Sequence, residues 1–389
     1  MNMQRLTTSA CCALALLMPL AAQAEGDGVT GTVRAYRITR EAASTGPLTA
    51  ANTLQPGTAA IDASTNILQM ELVGDTTVAG LTLHAGALLH TQQADAGAAE
   101  NHNRINEAYA SWSGAGWQWS AGKKVVSWDV GYGFRPNDVI QQETRRTLAA
   151  GALEGHPLLM AEHFNADSAW SLVWANPTQD FATNGTNEST LAARWYTRQG
   201  AADWHIFARQ GAQTGASLGA AVSWVASDAL ELHASARGGQ QLVGGTWTHE
   251  SQVSLLLEAW HDDTAPSNAQ WDAWQARNQF LPLLLARGVP APAVAGSLAT
   301  QANLFRSGSS LRQDNLFARL SWQQDRWQTA LDLLYTPADQ GLLATVSVVW
   351  TGEQLRWEAG LRDTRGPDTA TLHQVPVQRQ GYAVATWAF

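Results

Sequence analysis

The sequence is short of cysteine, of charge and of long apolar runs, and each shortage narrows what the protein can be. Its only two cysteines, Cys11 and Cys12, lie within residues 1–24. The chain after that segment therefore has no disulfide and no thiolate metal ligand. Charged residues make up 15% of the chain, below the roughly 25% of average soluble proteins. No run of about 18 apolar residues follows residue 24, which excludes a transmembrane helix there.

Positive charge is also scarce. The chain has 24 Lys and Arg against 33 Asp and Glu, a formal net charge of −9. A nucleic-acid partner requires a basic surface, so nucleic-acid binding is excluded. The ten histidines have no metal-ligand spacing, and no phosphate-binding Gly-rich loop occurs. We therefore expect no metal, no cofactor and no enzymatic activity.

The first residues predict export. Arg5 provides a positive n-region, Ala13–Ala22 is apolar, and Ala22-Gln23-Ala24 has the small-residue pattern of a cleavage site. We expect residues 1–24 to be a cleaved signal peptide and residues 25–389 to form a single domain. The mature protein is then either soluble or a β-barrel.

The remaining sequence alternates with a period of two. Leu355, Trp357, Ala359 and Leu361 alternate with polar or small residues, and the same pattern recurs from Leu81 to Leu89. Segments of about ten such residues between turns are typical of transmembrane β-strands. A soluble β-sandwich also alternates, so the connections have to separate the two folds.

Short and long connections largely take turns along the chain. Tight turns are predicted at Gly74-Asp75, Gly114–Gly116, Asn165–Asp167, Gln199-Gly200, Ala226–Asp228, Gln324-Asp325 and Gly352-Glu353. Longer loops are predicted at 41–64, 91–103, 129–156, 177–188, 261–311 and 364–378. Tryptophans such as Trp112, Trp204 and Trp327 flank the tight turns, as indole rings do at a membrane–water boundary. A barrel with short turns at one end and long external loops at the other explains both observations.

The strand count supports a large barrel. Seventeen candidate strands are recognisable, but an odd number would leave the two termini on opposite sides. When strand directions are assigned from both termini, 229–238 and 250–260 would both run outward. A further strand in the opposite direction is therefore predicted near Gln241–Thr248. We expect an all-β, antiparallel, up-and-down transmembrane barrel of 18 strands, with 16 as the alternative. Barrels of this size enclose an aqueous channel.

The end of the chain carries a resemblance. Gly381–Phe389 alternates and closes on Trp387 and Phe389, and it resembles the terminal signal of Gram-negative outer-membrane β-barrel proteins. The segment 122–128, with Gly131, Gly133 and Pro136 after it, is loosely similar to a strand and loop of porin-like proteins. The resemblance implies an integral outer-membrane protein with both termini periplasmic. It also implies contact with outer-membrane lipid and lipopolysaccharide, and recognition of Phe389 by the barrel-assembly machinery.

The same alternation predicts which charged side chains line the pore. If the Leu, Val and Trp face meets lipid, the opposite face carries slightly more basic than acidic side chains. The pore-lining candidates are Arg34, Glu107, Lys124, Arg194, Arg198, Arg209, Glu231, Arg237, Glu258, Arg319, Asp332, Arg356, Glu358 and Arg362. Rings of basic residues favour anions, but such residues also pair across strands to stiffen a wall.

Two loops are candidates for a constriction. Residues 261–311 contain a predicted helix over Ala269–Leu281, with a capping box at Ser267 and Gln270 and a stop at Pro282. This loop is either a lid or an external cap. Loop 129–156 has charges of both signs, which suit either a constriction or a solvated loop. The constriction candidates are Asp129, Arg135, Asp138, Glu143, Arg145, Arg146, Trp271 and Trp274.

Three functions fit this sequence. The first is an outer-membrane channel, porin-like, for small polar or anionic solutes. The second is an export conduit for a periplasmic polymer or peptide, which requires a periplasmic or inner-membrane partner. The third is a surface enzyme or adhesin mounted on a barrel. The sequence names neither the solute nor the oligomeric state.

Overall fold

The strands are regular and long. The computed structural model describes residues 28–95, 97–141, 148, 152–176, 188–306 and 310–389; the predicted signal peptide lies outside them. The barrel strands are β1 Val29–Ala42, β2 Ser64–Val78, β3 Leu81–Ala94, β4 Arg104–Gly114, β5 Trp117–Lys124, β6 His156–Phe164, β7 Ser168–Ala175, β8 Thr190–Gln199, β9 Ala202–Gly211, β10 Gly215–Ser227, β11 Leu230–Arg237, β12 Gln240–Thr248, β13 Val253–Asp262, β14 Asp314–Gln324, β15 Trp327–Thr336, β16 Gly341–Thr351, β17 Leu355–Arg365 and β18 Val377–Ala388. A two-residue strand, Glu100–Asn101, pairs with the end of β3.

The sheet closes on itself. Each barrel strand pairs antiparallel with its neighbours in sequence, and β1 pairs with both β2 and β18. The closing register places Ala35 opposite Ala385. The predicted up-and-down barrel of 18 strands is confirmed, and the alternative of 16 is wrong. The additional strand expected near Gln241–Thr248 is β12, which pairs with β11 and β13.

Two local expectations are wrong. Gly74-Asp75 is not a turn: β2 continues to Val78, and the turn falls at Ala79 and Gly80, both with positive φ. The alternation in the sequence predicts one of the seventeen candidate strands over 117–128, but β5 ends at Lys124. There the Val125 N–H donates to the Glu107 carboxylate at 2.8 Å instead of continuing the β-ladder. The chain then enters the barrel.

The two ends of the barrel differ as expected. Short turns connect the strands at one end, where the Gly31 N–H also donates to the Phe389 carbonyl at 2.9 Å. At the other end lie the described parts of the long connections 43–63, 95–103, 125–155, 176–189, 263–313 and 366–376. We call these the short-turn end and the long-loop end.

Helices occur only in connections at the long-loop end, within the part of the chain that the structure describes. Helix α1 is Pro47–Leu54, α2 is Asn268–Phe280 and α3 is Ala291–Gln301; short 3₁₀ segments cover Leu281–Arg287, Ala302–Arg306 and Thr371–His373. Helix α2 has the expected Ser267–Gln270 capping box. None of the helices in the described ranges is long and apolar enough to cross a membrane.

The outer surface is apolar and ends in a belt of indole rings. Leu218 is 73% exposed, whereas Phe207, on the opposite face of the neighbouring strand, is 1% exposed. Exposed tryptophans cluster near the short turns: Trp112, Trp170, Trp204, Trp224, Trp247, Trp322, Trp327 and Trp357. This arrangement is the aromatic girdle of a transmembrane barrel.

Candidate functional site

The described part of loop 125–155, chiefly residues 125–141, folds into the barrel. Val126, Trp128, Phe134, Val139 and Ile140 are all buried. All of these except Phe134 pack on inward apolar side chains of β6–β10, namely Leu158, Met160, Val173, Ala175, Ala192, Phe207 and Ala221. Burial of these side chains favours the inward position of the loop. Together with β11–β13, whose Leu242 and Trp260 pack on Phe134, the loop and this wall fill one half of the interior, which we call the filled half.

Aromatic stacking extends the contact across the barrel. Phe134 stacks on Trp260 of β13 with ring centroids 5.8 Å apart. Tyr132 stacks on Phe317 of β14 at 5.7 Å. The loop therefore leaves the wall at β5 and reaches β13 and β14, so it crosses the interior.

The charged residues of the loop fix its own shape. Asp138 accepts backbone N–H bonds from Trp128 at 2.8 Å and Asp129 at 3.0 Å. It also accepts from Arg135 Nε at 2.6 Å, and both side chains of this ion pair are buried. A buried carboxylate with several donors holds a turn rigid. In this structure Arg135 and Asp138 act as a clamp and do not face an open lumen.

Asp129 attaches the loop to β11. Its carboxylate accepts from Ser235 Oγ at 2.6 Å and from the Asn137 N–H at 2.5 Å. Burial raises the pKa of Asp129 against the effect of these hydrogen bonds. Asn137 Nδ2 in turn donates to the carbonyls of Ala220 and Ala236, each at 3.2 Å. A Cβ at Gly219 would lie 1.9 Å from Asn137 Oδ1, so this approach requires glycine.

Glu258 attaches the loop to β13. Its fully buried carboxylate accepts the N–H groups of Tyr132 at 2.7 Å and Gly133 at 2.6 Å. His233 lies between this carboxylate and Glu231, 3.0 Å from each. Glu258 and Glu231, both predicted to line the pore, thus lie on the inward face, and Glu258 is covered by the loop.

Arg209 and Arg237 also contact the loop. Arg209 Nε donates to the Val139 carbonyl at 3.3 Å, and Arg237 Nε donates to the Pro136 carbonyl. Arg209 pairs with Glu188 at 2.6 Å. Burial raises the pKa of Glu188, but hydrogen bonds from Thr214, Gln213 and Arg209 outweigh it and lower the pKa to about 2. A polar cavity of about 500 Å³ lies between the loop and these strands.

The opposite half of the interior, formed by β14–β18 and β1–β5, carries partly exposed charges; we call it the open half. Arg34 pairs with Glu71 at 2.9 Å, Arg319 with Asp332 at 2.8 Å, and Arg356 with Glu358 at 2.8 Å. The exposed fraction of each of these side chains is between 16% and 43%, although they lie inside the barrel. Water therefore reaches this wall.

The other predicted positions also lie on inward faces. Glu107 accepts from Val125 at the start of the loop, and Arg362 Nε donates to Thr345 at 3.0 Å. Lys124 Nζ lies over the Tyr109 ring, and Arg194 donates to His205 Nδ1. Arg198 lies near the short-turn end, 4.0 Å from Asp203.

Loop 263–313 forms a helical cap with α1. Ala51 of α1 packs on Leu281, Val294, Ala295 and Leu298. Trp271 and Trp274 are buried inside the cap, where their Nε1 atoms donate to the Leu311 and Gln301 carbonyls. These two constriction candidates thus form the cap's own core. Glu143, Arg145 and Arg146 lie outside the described residues.

Several residues of the site were not singled out from the sequence. Ser235, Asn137 and His233 hold the loop, and Tyr132 and Phe134 stack on the far wall. One signal was present: apolar residues recur through 125–140, which a solvated loop does not need. In the described residues, no group of three or more His, Asp or Glu side chains is arranged so that it could hold a metal ion.

Solved structures of outer-membrane proteins are similar to this chain in fold. OccK5 (OpdH) of Pseudomonas aeruginosa is 7% identical over 94% of this chain and 98% of its own, with a TM-score of 0.56. A mutant porin of Rh. blastica is 11% identical over 93% of this chain and 99% of its own, with a TM-score of 0.47. No family model and no curated protein matches the sequence. The similarity to OccK5, together with the closed barrel of 18 strands, shows the fold of a porin-like outer-membrane β-barrel, and no family is assigned.

Proposed function

We propose that the protein is an outer-membrane channel that passes small polar solutes, with a modest preference for anions. One observation carries the proposal: the interior is filled on one side by loop 125–155 and keeps water-accessible charges on the other. Barrels of 16–18 strands enclose aqueous channels unless a segment fills them completely.

The anion preference is supported by the interior cations. In the described residues, Arg194 and Lys124 have a histidine and a hydroxyl as hydrogen-bond partners and no carboxylate within ion-pair distance. The Arg–Glu and Arg–Asp pairs of the open half cancel much of their own charge. Selectivity is therefore expected to be weak.

We infer the orientation from the two ends. The indole belt, the first residues of β1 and Phe389 lie at the short-turn end, which we assign to the periplasm of a Gram-negative cell. The long-loop end, with the helical cap, then faces outward. Phe389 is available at the periplasmic end for the assembly machinery.

The test is single-channel conductance of the refolded mature chain in planar bilayers, with the reversal potential measured across a salt gradient. Heat-modifiable mobility on a gel verifies that the barrel is folded. We expect steady conductance and a reversal potential shifted toward anions, and we expect Arg194→Gln to reduce that shift. A folded barrel that never conducts would refute the channel and favour the export conduit, whose opening needs a partner.

A further inference from the structure

An arginine lies on the lipid-facing side of the barrel among small residues. Arg37 is exposed and is placed opposite Ala383 of β18 and Asn66 of β2. Its Nη1 donates to Asn66 Oδ1 at 3.1 Å, and within the described ranges no carboxylate lies close enough to pair with it. A guanidinium on this face is unfavourable in hydrocarbon, and more so with depth. Arg37 therefore needs an anion from outside the chain.

A groove runs past Arg37 on the same face. Its volume is about 560 Å³. Small residues, Thr39, Gly381 and Ala383, form its floor, and Val346, Val348 and Leu361 are among the apolar residues that line it. A concave apolar surface of this kind fits an acyl chain more closely than the convex face of a barrel does.

Two more arginines lie toward the long-loop end of this groove. Arg379 pairs with Glu41 at 3.0 Å and lies 3.4 Å from Asp363, and Arg365 pairs with Asp363 at 2.6 Å. Both guanidinium groups are more than half exposed. Three arginines thus share two carboxylates, which leaves one net positive charge.

The spacing brings these groups to one place. Arg37 and Arg379 lie four positions apart across the β1–β18 pairing, with Thr39 and Gly381 between them. At about 3.3 Å per residue the two positions are about 13 Å apart. A phosphate above Thr39 and Gly381 would lie within reach of both side chains, because Gly381 carries none of its own.

We propose that this face binds lipopolysaccharide, with a lipid A phosphate between Arg37 and Arg379 and an acyl chain in the groove. The assignment to the outer leaflet rests on the orientation given under the proposed function. A second copy of this chain is less favoured, because docking by this same patch would bring its net positive charge against itself.

The experiment measures lipid A that remains bound after extraction from outer membranes in mild detergent, by native mass spectrometry. Arg37→Gln removes the charge, and Ala383→Leu fills the groove. Ala318→Leu is the matched control, because it fills a second outer groove of about 700 Å³ that no arginine lines. All variants are compared by heat-modifiable mobility and by conductance.

We expect about one lipid A per wild-type chain, at least about a tenfold lower occupancy in Arg37→Gln and Ala383→Leu, and no change in Ala318→Leu. Conductance should be unaltered in all of them, which separates this proposal from the channel function. Equal retention by wild type and Arg37→Gln would overturn it. So would a bound phospholipid in place of lipid A, or a second chain whose loss accompanies Arg37→Gln.

Discussion

The filled and open halves of the interior use the same charged residue types for different purposes. In the filled half, Asp138 and Glu258 are buried and accept backbone N–H groups. In the open half, Glu71 and Glu358 keep part of their exposure and pair with arginines across or along the strands. A carboxylate therefore fixes the loop where water is excluded and lines the channel where water remains.

This difference follows from the residues between the charges. The inward face of β6–β10 carries a contiguous cluster of apolar side chains, which buries Val126, Trp128, Val139 and Ile140 of the loop. Desolvation strengthens the hydrogen bonds that remain and makes an unpaired group costly. On the open half charged pairs lie between the apolar inward side chains, and the described part of the loop contacts that wall through Tyr132 on Phe317 and through Leu148 beside Tyr36.

The largest effect is expected from Glu258→Ala, compared with Glu358→Ala on the open half. The first change leaves the N–H groups of Tyr132 and Gly133 without their acceptor and removes one of the two carboxylates beside the buried His233. Its loss in unfolding free energy should be about 3–5 kcal/mol, with noisier conductance as the loop detaches. Glu358→Ala should cost less, about 1–2 kcal/mol, because the partly exposed Arg356 and the Tyr382 hydroxyl lose an acceptor. Urea unfolding followed on gels measures both, and equal losses would contradict the division into two halves.

The sequence predicted the strands better than the loop, and the reason is the range of the interactions. Alternation is a local property, and it located even β12 from the conflict of direction between its neighbours. The position of loop 125–155 depends on contacts such as Glu258 with Tyr132, which are separated by 126 residues. No local pattern records such a contact. The charges of Asp129, Arg135 and Asp138 were compatible with a solvated loop until their partners were known.

A second comparison uses two neighbouring residues on opposite faces of β9. Phe207 is buried against Trp128 inside the barrel, and Ile206 is half exposed outside. Phe207→Ala should lower the unfolding free energy by about 3 kcal/mol because it opens a cavity under the loop. Ile206→Ala should cost about 1 kcal/mol, since it removes little packed surface. The idea of a filled half fails if the two losses are the same.

A third prediction concerns pH and the edge of the filled half. The pKa of Glu188 is lowered from 4.5 to about 2, because its hydrogen bonds from Thr214, Gln213 and Arg209 outweigh desolvation. The ionised form is thus favoured by folding, so its stabilisation is complete above pH 4.5 and is lost as pH falls toward 2. Glu188→Gln should lose roughly 2 kcal/mol at neutral pH and flatten stability between pH 4.5 and 2. The exposed Glu353→Gln is the control, and matching pH profiles for both variants would refute the assignment.

The smallest effect is expected from removing one cation of the open half. Arg356 pairs with Glu358 at 2.8 Å and keeps 43% of its side-chain exposure, so Arg356→Gln should change the unfolding free energy by no more than about 0.5 kcal/mol. Its effect should appear in the reversal potential, which should move toward cations because Glu358 loses its neutralising partner. Arg135→Gln in the filled half should do the reverse: it weakens the clamp on Asp138 and lowers stability, while selectivity changes little. If Arg356→Gln destabilises the barrel and leaves the reversal potential unchanged, the pairs of the open half serve to stiffen the wall and do not set which ions pass.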